Sequence, residues 1–237
     1  MASLIKECII LAGGLGTRLR SAVPDLPKCM APVAGKPFLA WVIDYYQQQG
    51  IERFIFSLGY MHEAIETFLQ EQYPHLQVAC TIEEEPLGTG GAIKLACSKA
   101  LQQDVLVLNG DTIFTIQLDQ LSIFHTNHAA DCTLCLKPMQ HFDRYGVVEL
   151  AADQSISSFK EKQYYEAGYI NGGVYALNVP SFLQEALPEK FSFEKDYLEK
   201  LYSQRKMAGL IQDQYFIDIG IPEDFEKANR EFKTLQF

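Results

Sequence analysis

The sequence predicts an α/β fold built on a mixed, mainly parallel central sheet. The first observation is a set of short apolar runs typical of buried strands, at 7–12, 53–58, 78–82 and 105–109. The second is the helical periodicity of the segments between them, at 38–49, 62–72 and 91–100. Strands that alternate with helices are joined by right-handed crossovers, so these strands are expected to lie parallel in one sheet.

The third observation is a change of pattern after Asp111. One more helix is predicted at 118–127. Alternating residues then predict an antiparallel or mixed extension of the sheet, with strands at 132–137, 146–150, 156–159 and 169–175. The remaining chain predicts helices at 180–187 and 193–203, a strand pair at 206–211 and 215–218, and a last helix that begins at Pro222.

Composition and charge exclude several classes of protein. The chain has 237 residues, with 20 Lys+Arg against 30 Asp+Glu and a net charge of −10. It therefore lacks the broad basic surface that attracts nucleic acids or anionic membranes, although a small anionic ligand needs only a local positive site. No Pro/Ser-rich linker interrupts the chain. We expect one domain at 1–237, with an N-terminal lobe at about 1–112 and a C-terminal lobe at about 113–237.

The N-terminus and the cysteines indicate the compartment. The first apolar run is short and is interrupted by Lys6 and Glu7, which disfavours a signal peptide or a membrane span and predicts a cytoplasmic protein. The six Cys residues are too scattered for a disulfide scaffold and indicate reduced thiols. Cys132 and Cys135 form a C-x-x-C pattern, but on a strand they would face opposite sides, so a structural role is expected.

A glycine-rich segment at 11–19 follows the first predicted strand directly. Its glycines allow close approach of the backbone to a phosphate, and Arg18 adds a positive fork for phosphate oxygens. The alternative is a glycine turn that only joins two elements. The neighbouring loop at 27–37 contains three prolines and would hold the ammonium of Lys28 in a fixed position, although an isolated lysine is usually a solvated surface residue.

Taken together, the sequences L-A-G-G-L-G-T-R-L at 11–19 and P-K-C-M-A-P-V-A-G-K-P at 27–37 resemble the sugar-1-phosphate nucleotidyltransferase family. Further family features recur in order at 83–91, 109–111, 144–148, 159–162, 171–175 and 218–220. The resemblance covers most of the chain. It implies a Rossmann-like, three-layer nucleotide-diphospho-sugar transferase fold.

The resemblance also implies a Mg²⁺ site formed by Asp111 and Asp218. Mg²⁺ prefers oxygen ligands and commonly binds one or two carboxylates together with substrate phosphates. Each aspartate follows a predicted strand, so the fold could bring both to one edge of the sheet. The alternative is that each carboxylate caps the segment that follows it.

The implied reaction is attack by the phosphate oxygen of a sugar 1-phosphate on the α-phosphorus of a nucleoside triphosphate, with release of pyrophosphate. Such reactions are catalysed mainly by positioning and by charge neutralisation. We expect Arg18 to bind the departing pyrophosphate, Lys28 the triphosphate and Lys162 the incoming sugar phosphate. Together with Asp111, these are the candidate catalytic residues.

The loop at 83–91 resembles the base-binding loop of the family. Relatives that use uridine or thymidine triphosphates commonly carry glutamine where this chain has Glu83. A carboxylate can accept hydrogen bonds from N1–H and N2–H₂ of guanine, which favours GTP, although Glu84 and Glu85 remain alternative readers. The predicted nucleotide-binding set is Leu11, Ala12, Gly13, Gly14, Gly16, Thr17, Arg18, Lys28, Glu83, Gly88, Thr89 and Asp111.

Sugar-side residues are expected in the C-terminal lobe. Glu161 and Asn171 can bind hydroxyl groups, and Tyr145 resembles a family residue that packs against the sugar ring. Gly172 replaces a common alanine and is expected to leave space beside the sugar. The predicted sugar-binding set is Gly110, Tyr145, Gly146, Glu161, Lys162, Asn171, Gly172 and Glu194.

Gly172, Ile221 and the F-S-F-E-K-D sequence at 191–196 resemble most closely the guanylyltransferases that act on D-glycero-α-D-manno-heptose 1-phosphate for surface polysaccharide synthesis. Mannose 1-phosphate, or a hexose enzyme that uses UTP or dTTP, remains an alternative. A nucleotide-sugar-binding regulatory subunit is disfavoured because the motif residues Arg18 and Lys28 are present. The expected partners are GTP and a sugar 1-phosphate, with a homodimer left open and neither nucleic acid nor membrane expected.

Overall fold

The structure is a computed structural model that describes residues 4–14, 19, 23 and 26–235. A 3₁₀ turn at Lys28–Met30 lies between the first two strands. The other elements of the N-terminal part are β1 (Glu7–Leu11), β2 (Pro32–Val33), β3 (Lys36–Pro37), α1 (Phe38–Gln48), β4 (Arg53–Leu58), α2 (His62–Gln72), β5 (Gln77–Ile82), α3 (Gly88–Cys97) and β6 (Asp104–Asn109).

The C-terminal part contains the longest strands of the described chain. A π-helical segment, Phe193–Leu198, lies directly before the short helix at Glu199–Leu201. The elements in order are β7 (Thr112–Phe114), α4 (Leu118–His128), β8 (Cys132–Phe142), β9 (Val147–Leu150), β10 (Ile156–Lys160), β11 (Tyr165–Asn178), α5 (Val179–Leu183), α6 (Glu199–Leu201), β12 (Met207–Ile211), β13 (Phe216–Asp218) and α7 (Pro222–Glu231).

Within the described residues, nine strands form the central sheet, in the order β10-β9-β11-β6-β1-β4-β5, with β8 paired to β11 and β12. The strands β6, β1, β4 and β5 are mutually parallel, whereas β11 runs antiparallel to β6 and β8. The predicted α/β class with a mixed, mainly parallel sheet is confirmed. The carboxyl ends of four parallel strands therefore meet at one edge, where open α/β sheets bind ligands.

Helices cover both faces of this sheet because successive strand residues point to opposite sides. In β1, Ile10 packs in one core cluster with residues of α1 and α2, such as Val42 and Ile65. Its neighbour Ile9 packs in the other cluster with residues of α3 and α5, such as Ile93 and Phe182. The result is the expected three-layer arrangement. Within the described ranges, none of the helices combines the length and apolar character that a membrane span requires.

The structure corrects the predicted pairing of strands 206–211 and 215–218. β12 instead pairs parallel with β8, and β13 pairs antiparallel with β7. The reason is Gln212, which is buried and exchanges hydrogen bonds with the backbone of Gln117: its Oε1 accepts at 2.7 Å and its Nε2 donates at 3.3 Å. These bonds hold the chain where it passes from the large sheet to the small one.

Other expectations hold with shifted boundaries. The predicted helix 91–100 begins at Gly88 and ends at Cys97, and the predicted helix 193–203 is π-helical at its start. Cys132 and Cys135 lie in different core clusters on opposite faces of β8, as predicted. Burial raises the pKa of both thiols, which keeps them protonated and unreactive.

Candidate active site

A cavity of about 950 Å³ opens at the carboxyl edge of the parallel strands. Its walls come from the ends of β1, β4, β5 and β6, from the 3₁₀ turn and from the first turn of α3. Eleven residues singled out from the sequence line it: Leu11, Ala12, Gly13, Gly14, Lys28, Glu83, Gly88, Thr89, Gly110, Asp111 and Glu194. Gly16, Thr17 and Arg18 lie outside the described residues.

Gly13 and Gly110 at the cavity wall leave no room for a side chain, because atoms of neighbouring segments lie close to their Cα atoms. A Cβ on Gly13 would lie 2.9 Å from Glu83 Oε1 and 3.0 Å from the amide nitrogen of Gly59. A Cβ on Gly110 would lie 2.5 Å from the carbonyl oxygen of Leu11. A Cβ on Gly14, in contrast, would meet nothing within 4 Å. The first two glycines hold neighbouring strand ends together, while Gly14 leaves space in the cavity.

Glu83 is the best-positioned acid of the base-binding loop. Its Oε2 accepts a hydrogen bond from the amide of Leu87 at 2.8 Å. Burial raises the pKa of this carboxyl, and the Leu87 hydrogen bond offsets part of the effect. Glu84 also lines the cavity, whereas Glu85 is not among the lining residues. Two of the three acids predicted as base readers therefore line the cavity, and their role stays a prediction.

A segment at 189–194, which we call the strap, lies against the base-binding loop. The amide of Phe191 donates to the carbonyl of Leu87 at 3.0 Å, and the amide of Gly90 donates to the carbonyl of Phe191 at 3.0 Å. Gly90 is in the first turn of α3, where backbone N–H groups have no partner within the helix. The strap thus satisfies the exposed end of α3 and fixes the loop that precedes it.

The side chains of Thr89 and Glu194 also connect α3 to the strap at the cavity wall. The hydroxyl of Thr89 donates to Glu194 Oε2 at 3.0 Å and accepts from the amide of Phe193 at 2.9 Å. The hydroxyl of Ser192 lies 3.3 Å from the same carboxylate oxygen. Glu194, a sugar-side candidate, is therefore tied to Thr89, a nucleotide-side candidate.

Three charged side chains converge beside the cavity. The ammonium of Lys28 pairs with Asp111 and lies 3.7 Å from Asp218 Oδ1. The carboxylates come together because Asp218 is opposite Thr112 in the β7–β13 pair and the amide of Ile219 donates to the carbonyl of Asp111 at 3.0 Å. The sequence-based expectation that the fold could bring both aspartates to one edge is met. Within the described residues, no group of three or more His, Cys, Asp or Glu is arranged to hold a metal ion.

Tyr145 lies close to these carboxylates. Burial raises the pKa of Tyr145 to about 12, and the negative charge of Asp218 adds to the increase. Its neighbour Arg144 donates to Asp224 at 2.7 Å, and although burial alone would lower the pKa of the guanidinium, this partner raises it. Tyr145 is therefore held as a neutral phenol beside Asp218, although it is not among the residues that line the cavity.

The other sugar-side candidates lie outside the lining of this cavity. Glu161 and Lys162 are exposed in the β10–β11 connection. Gly146 is required by backbone packing, since a Cβ there would lie 2.5 Å from the carbonyl oxygen of Lys160. Asn171 donates to the hydroxyl of Tyr175 at 2.9 Å. The sugar-binding role of these four candidates stays a prediction.

The expectation that Gly172 leaves open space is wrong. A Cβ at this position would lie 2.4 Å from Cδ1 of Phe114. The ring of Phe114 in β7 therefore occupies the space that a side chain at residue 172 would need, because β11 passes directly over this short strand. Glycine at 172 serves packing between strands.

Sequence reasoning missed several side chains of the cavity wall, among them Tyr60 and His62. These two residues follow β4, one of the parallel strands. The imidazole of His62 contacts Glu66, with 2.8 Å between Nδ1 and Oε2. The available signal was their position directly after the carboxyl end of a buried strand, where α/β sheets form their sites.

The comparisons with known proteins agree with this geometry. Residues 7–234 match the sequence profile of the family described as Nucleotidyl transferase. The chain belongs to this family.

Two relatives and one solved structure illustrate membership of the Nucleotidyl transferase family. The chain is 51% identical to D-glycero-alpha-D-manno-heptose 1-phosphate guanylyltransferase of Aneurinibacillus thermoaerophilus, over 96% of this chain and 98% of the relative. It is 45% identical to the protein of the same name from Campylobacter jejuni, over 92% and 96%. The crystal structure of HddC from Yersinia pseudotuberculosis complexed with GMP-PN matches with a TM-score of 0.84 and 36% identity, over 96% of this chain and 100% of that chain.

Proposed function

We propose that this protein is a sugar-1-phosphate guanylyltransferase that joins GTP and D-glycero-α-D-manno-heptose 1-phosphate into a nucleotide diphospho-sugar with release of pyrophosphate. The observation that carries the proposal is 51% identity, over nearly the full length of both chains, to a protein named for this reaction. The neighbour crystallised with GMP-PN supports a guanine nucleotide. The cavity at the strand ends supports a nucleotide-sized ligand.

In the proposed reaction, an oxygen of the sugar 1-phosphate forms a bond to the α-phosphorus of GTP. The bond from that phosphorus to the bridging oxygen breaks, and pyrophosphate leaves with the bonding electrons. No side chain becomes covalently attached to a substrate. The chain contributes positive charge through Arg18, Lys28 and Lys162 and contributes alignment through the glycine backbone at the cavity wall.

Glu83 is proposed to select the base. Its carboxylate is held by the amide of Leu87 and has acceptor capacity left for the N1–H and N2–H₂ donors of guanine. Uracil or thymine would place carbonyl oxygens where guanine places donors. A carboxylate facing carbonyl oxygens is repelled and lacks hydrogen bonds, so GTP is favoured over UTP and dTTP.

Mg²⁺ is the proposed cofactor, and the residues present fit it. Asp111 and Asp218 supply oxygen ligands, and their position beside Lys28 already accommodates a cation. Two carboxylates completed by substrate phosphates are a common Mg²⁺ environment. When bound, Mg²⁺ would supply charge neutralisation for the phosphates. Metal binding would thus explain how an acidic chain accepts a highly charged anion.

For the sugar, we propose contacts from Tyr145 and Glu194 near the cavity, with Lys162 binding the sugar phosphate. Gly110, Gly146, Glu161, Asn171 and Gly172 complete the proposed sugar-binding set. We also propose that residues 1–237 form one domain with lobes at about 1–112 and 113–237, and that the protein acts in the cytoplasm. A homodimer remains part of the proposal.

The test is a matrix of reactions monitored by pyrophosphate release. GTP, UTP, dTTP and ATP are each combined with heptose, mannose or glucose 1-phosphate in the presence of Mg²⁺. We expect kcat/KM to be highest for GTP with the heptose 1-phosphate, by at least tenfold over any other pair. Efficient use of UTP or dTTP without GTP would refute the guanine assignment. Greater activity with mannose 1-phosphate would refute the sugar, and no release with any pair would indicate a binding subunit.

A further inference from the structure

Lys28 has one role in the structure, as the partner of two carboxylates, and a second role in the proposed function, as a ligand of the triphosphate. Its Nζ pairs with Asp111 and lies 3.7 Å from Asp218 Oδ1, and the lysine side chain is only 12% exposed. The same residue is proposed to bind the triphosphate. An ammonium held between the two proposed metal ligands occupies space and charge that a metal ion needs.

The position of the ammonium is built into the local structure. Lys28 begins the 3₁₀ turn, and the next two residues, Cys29 and Met30, are buried and anchor the turn. On the other side, the amide of Gly220 donates to Asp218 Oδ1 at 2.7 Å. A Cβ at Gly220 would lie 3.0 Å from Lys28 Nζ, so the absence of a side chain there leaves room for the ammonium.

Charge explains why a cation belongs between these groups. Two neighbouring carboxylates repel each other, and a positive charge close to both offsets that repulsion. Lys28 places a single positive charge beside both of these negatively charged groups. A divalent ion would neutralise both carboxylates fully, and the ammonium would then be free to follow the negative charge of the phosphates.

We infer that the ammonium of Lys28 alternates between two sites: it takes the place of the metal ion in the free protein and moves to the triphosphate when the metal binds. The inference rests on the proposed metal ligands Asp111 and Asp218. Its consequence is that the free protein binds divalent ions weakly, because each ion must displace the ammonium. Metal and nucleotide then bind with positive coupling, since the nucleotide offers Lys28 a new partner.

The experiment measures Mn²⁺ binding alone, from the electron paramagnetic resonance signal of the free ion, with neither nucleotide nor sugar present. We expect Lys28→Met to tighten Mn²⁺ binding at least tenfold, because the competing charge is gone. Lys28→Arg keeps a cation and should stay within threefold of the wild type. The double variant Lys28→Met with Asp111→Asn should lose the gain, which locates the effect at this site.

Lys36→Met is the matched control. Lys36 lies in the same part of the chain, but its ammonium pairs with Asp44 and lies 3.8 Å from the ring centroid of Trp41. These partners are different from those of Lys28. Its replacement should leave the Kd for Mn²⁺ unchanged. A Lys28→Met protein that is folded by circular dichroism and binds Mn²⁺ no more tightly than the wild type would overturn the inference.

A second measurement uses the wild-type protein and does not depend on the folding of a variant. Lysine acylation is followed by mass spectrometry with and without millimolar Mn²⁺. Displacement predicts at least a threefold faster modification of Lys28 with Mn²⁺, relative to Lys36. An unchanged ratio would overturn the inference. Neither measurement requires turnover, so a wrong substrate assignment would leave both results interpretable.

Discussion

The hydroxyl of Thr89 donates a hydrogen bond to Glu194 Oε2 at 3.0 Å, although 105 residues separate the two in the chain. Thr89 belongs to the first turn of α3, within the predicted base-binding loop at 83–91, and Glu194 belongs to the strap. A hydroxyl has one proton to donate, and here that proton is committed to the carboxylate. The proposed base and sugar sites therefore share one hydrogen-bonded junction.

Replacing Thr89 with Val should weaken sugar phosphate binding more than nucleotide binding. The change removes the donor to Glu194 but keeps the side-chain shape, so the carboxylate loses its fixed orientation. One such hydrogen bond contributes about 0.5–1.5 kcal/mol, which predicts a roughly 3- to 10-fold rise in KM for the sugar 1-phosphate. Steady-state kinetics with each substrate varied in turn would measure the effect.

The matched control for this substitution is Thr126→Val. The hydroxyl of Thr126 donates within α4 to the carbonyl of Ser122 at 2.9 Å, and Thr126 does not line the cavity. Both KM values should stay at the wild-type level in this control. Equal increases for both substrates in Thr89→Val would argue against a specific link to the sugar side.

Gly90→Ala should destabilise the protein through the strap. The added methyl group would lie 2.1 Å from Cε2 of Phe191, whose side chain is buried, so the ring or the helix must shift. Overpacking of this kind costs about 1–3 kcal/mol, more than the roughly 0.5–1 kcal/mol that alanine gains over glycine in a helix. Thermal unfolding should occur several degrees lower than in the wild type.

Gly14→Ala provides the control for stability, since a Cβ at that position meets nothing within 4 Å. Its melting temperature should match the wild-type value even if ligand binding suffers. A wild-type melting temperature for Gly90→Ala would show that the strap yields easily and does not fix the base-binding loop.

Sequence reasoning reached the parallel half of the fold because its signals are local. Each apolar run, such as those of β1, β4 and β6, lies within a short window of sequence, and so does each helical pattern between them. The right-handed crossover rule then predicts that these strands are parallel. Parallel strands place their following loops together, so the glycine-rich segment after β1 was expected at this edge of the sheet. The roles of Glu83 and Lys28, in contrast, came from the family resemblance.

The remaining parts depend on contacts between distant segments. Asp218 reaches Asp111 through the β7–β13 pair, and β7 has only three residues, too few for a periodic signal. The contact between the strap and the loop at 83–91 was missed for the same reason, although Glu194 itself was a sugar-side candidate. One local clue did exist: Gly90 and Gly91 stand consecutively in a helix, which is unfavourable unless another chain segment approaches closely.

Glu83 gives a pH dependence with a defined sign. Burial raises the pKa of its carboxyl above the ordinary value. Folding therefore favours the protonated carboxyl of Glu83. This stabilises the free protein fully at pH values below the pKa that Glu83 has in the unfolded chain, and the stabilisation is lost as pH rises through its pKa in the folded protein. Guanine binding has the opposite requirement, because the proposed contact to two N–H donors needs the carboxylate.

GTP affinity should therefore fall on acidification, and the loss should begin at a higher pH than for an ordinary glutamate. Titration of GTP between pH 4 and 8 measures this dependence. Glu83→Gln should bind GTP roughly 10- to 100-fold more weakly at neutral pH, since hydrogen bonds to a charged acceptor contribute about 1.5–3 kcal/mol. Its affinity should also lose the acidic decline, and a variant that kept the decline would assign it to another group.

Asp111→Asn tests the charge at the centre of the proposed site. The amide keeps the volume of the side chain but removes the negative charge that would hold the metal and that pairs with Lys28. Because each remaining contact of the backbone is unchanged, including the 3.0 Å hydrogen bond from the amide of Ile219 to the carbonyl of residue 111, the fold should persist. We expect kcat to fall by about 10²- to 10³-fold, comparable to the loss of one dominant electrostatic contact in other enzymes.

Asp213→Asn is the control for Asp111→Asn. Asp213 also pairs with a lysine, Lys137, at 2.6 Å, but its carboxylate is largely exposed and does not line the cavity. An exposed pair contributes little to stability, so neither kcat nor the melting temperature should change measurably. If Asp111→Asn retained near-normal turnover with Mg²⁺, the carboxylate would not be a metal ligand. If instead it lost turnover only in proportion to lost folded protein, its role would be structural, and circular dichroism on the same sample separates the two results.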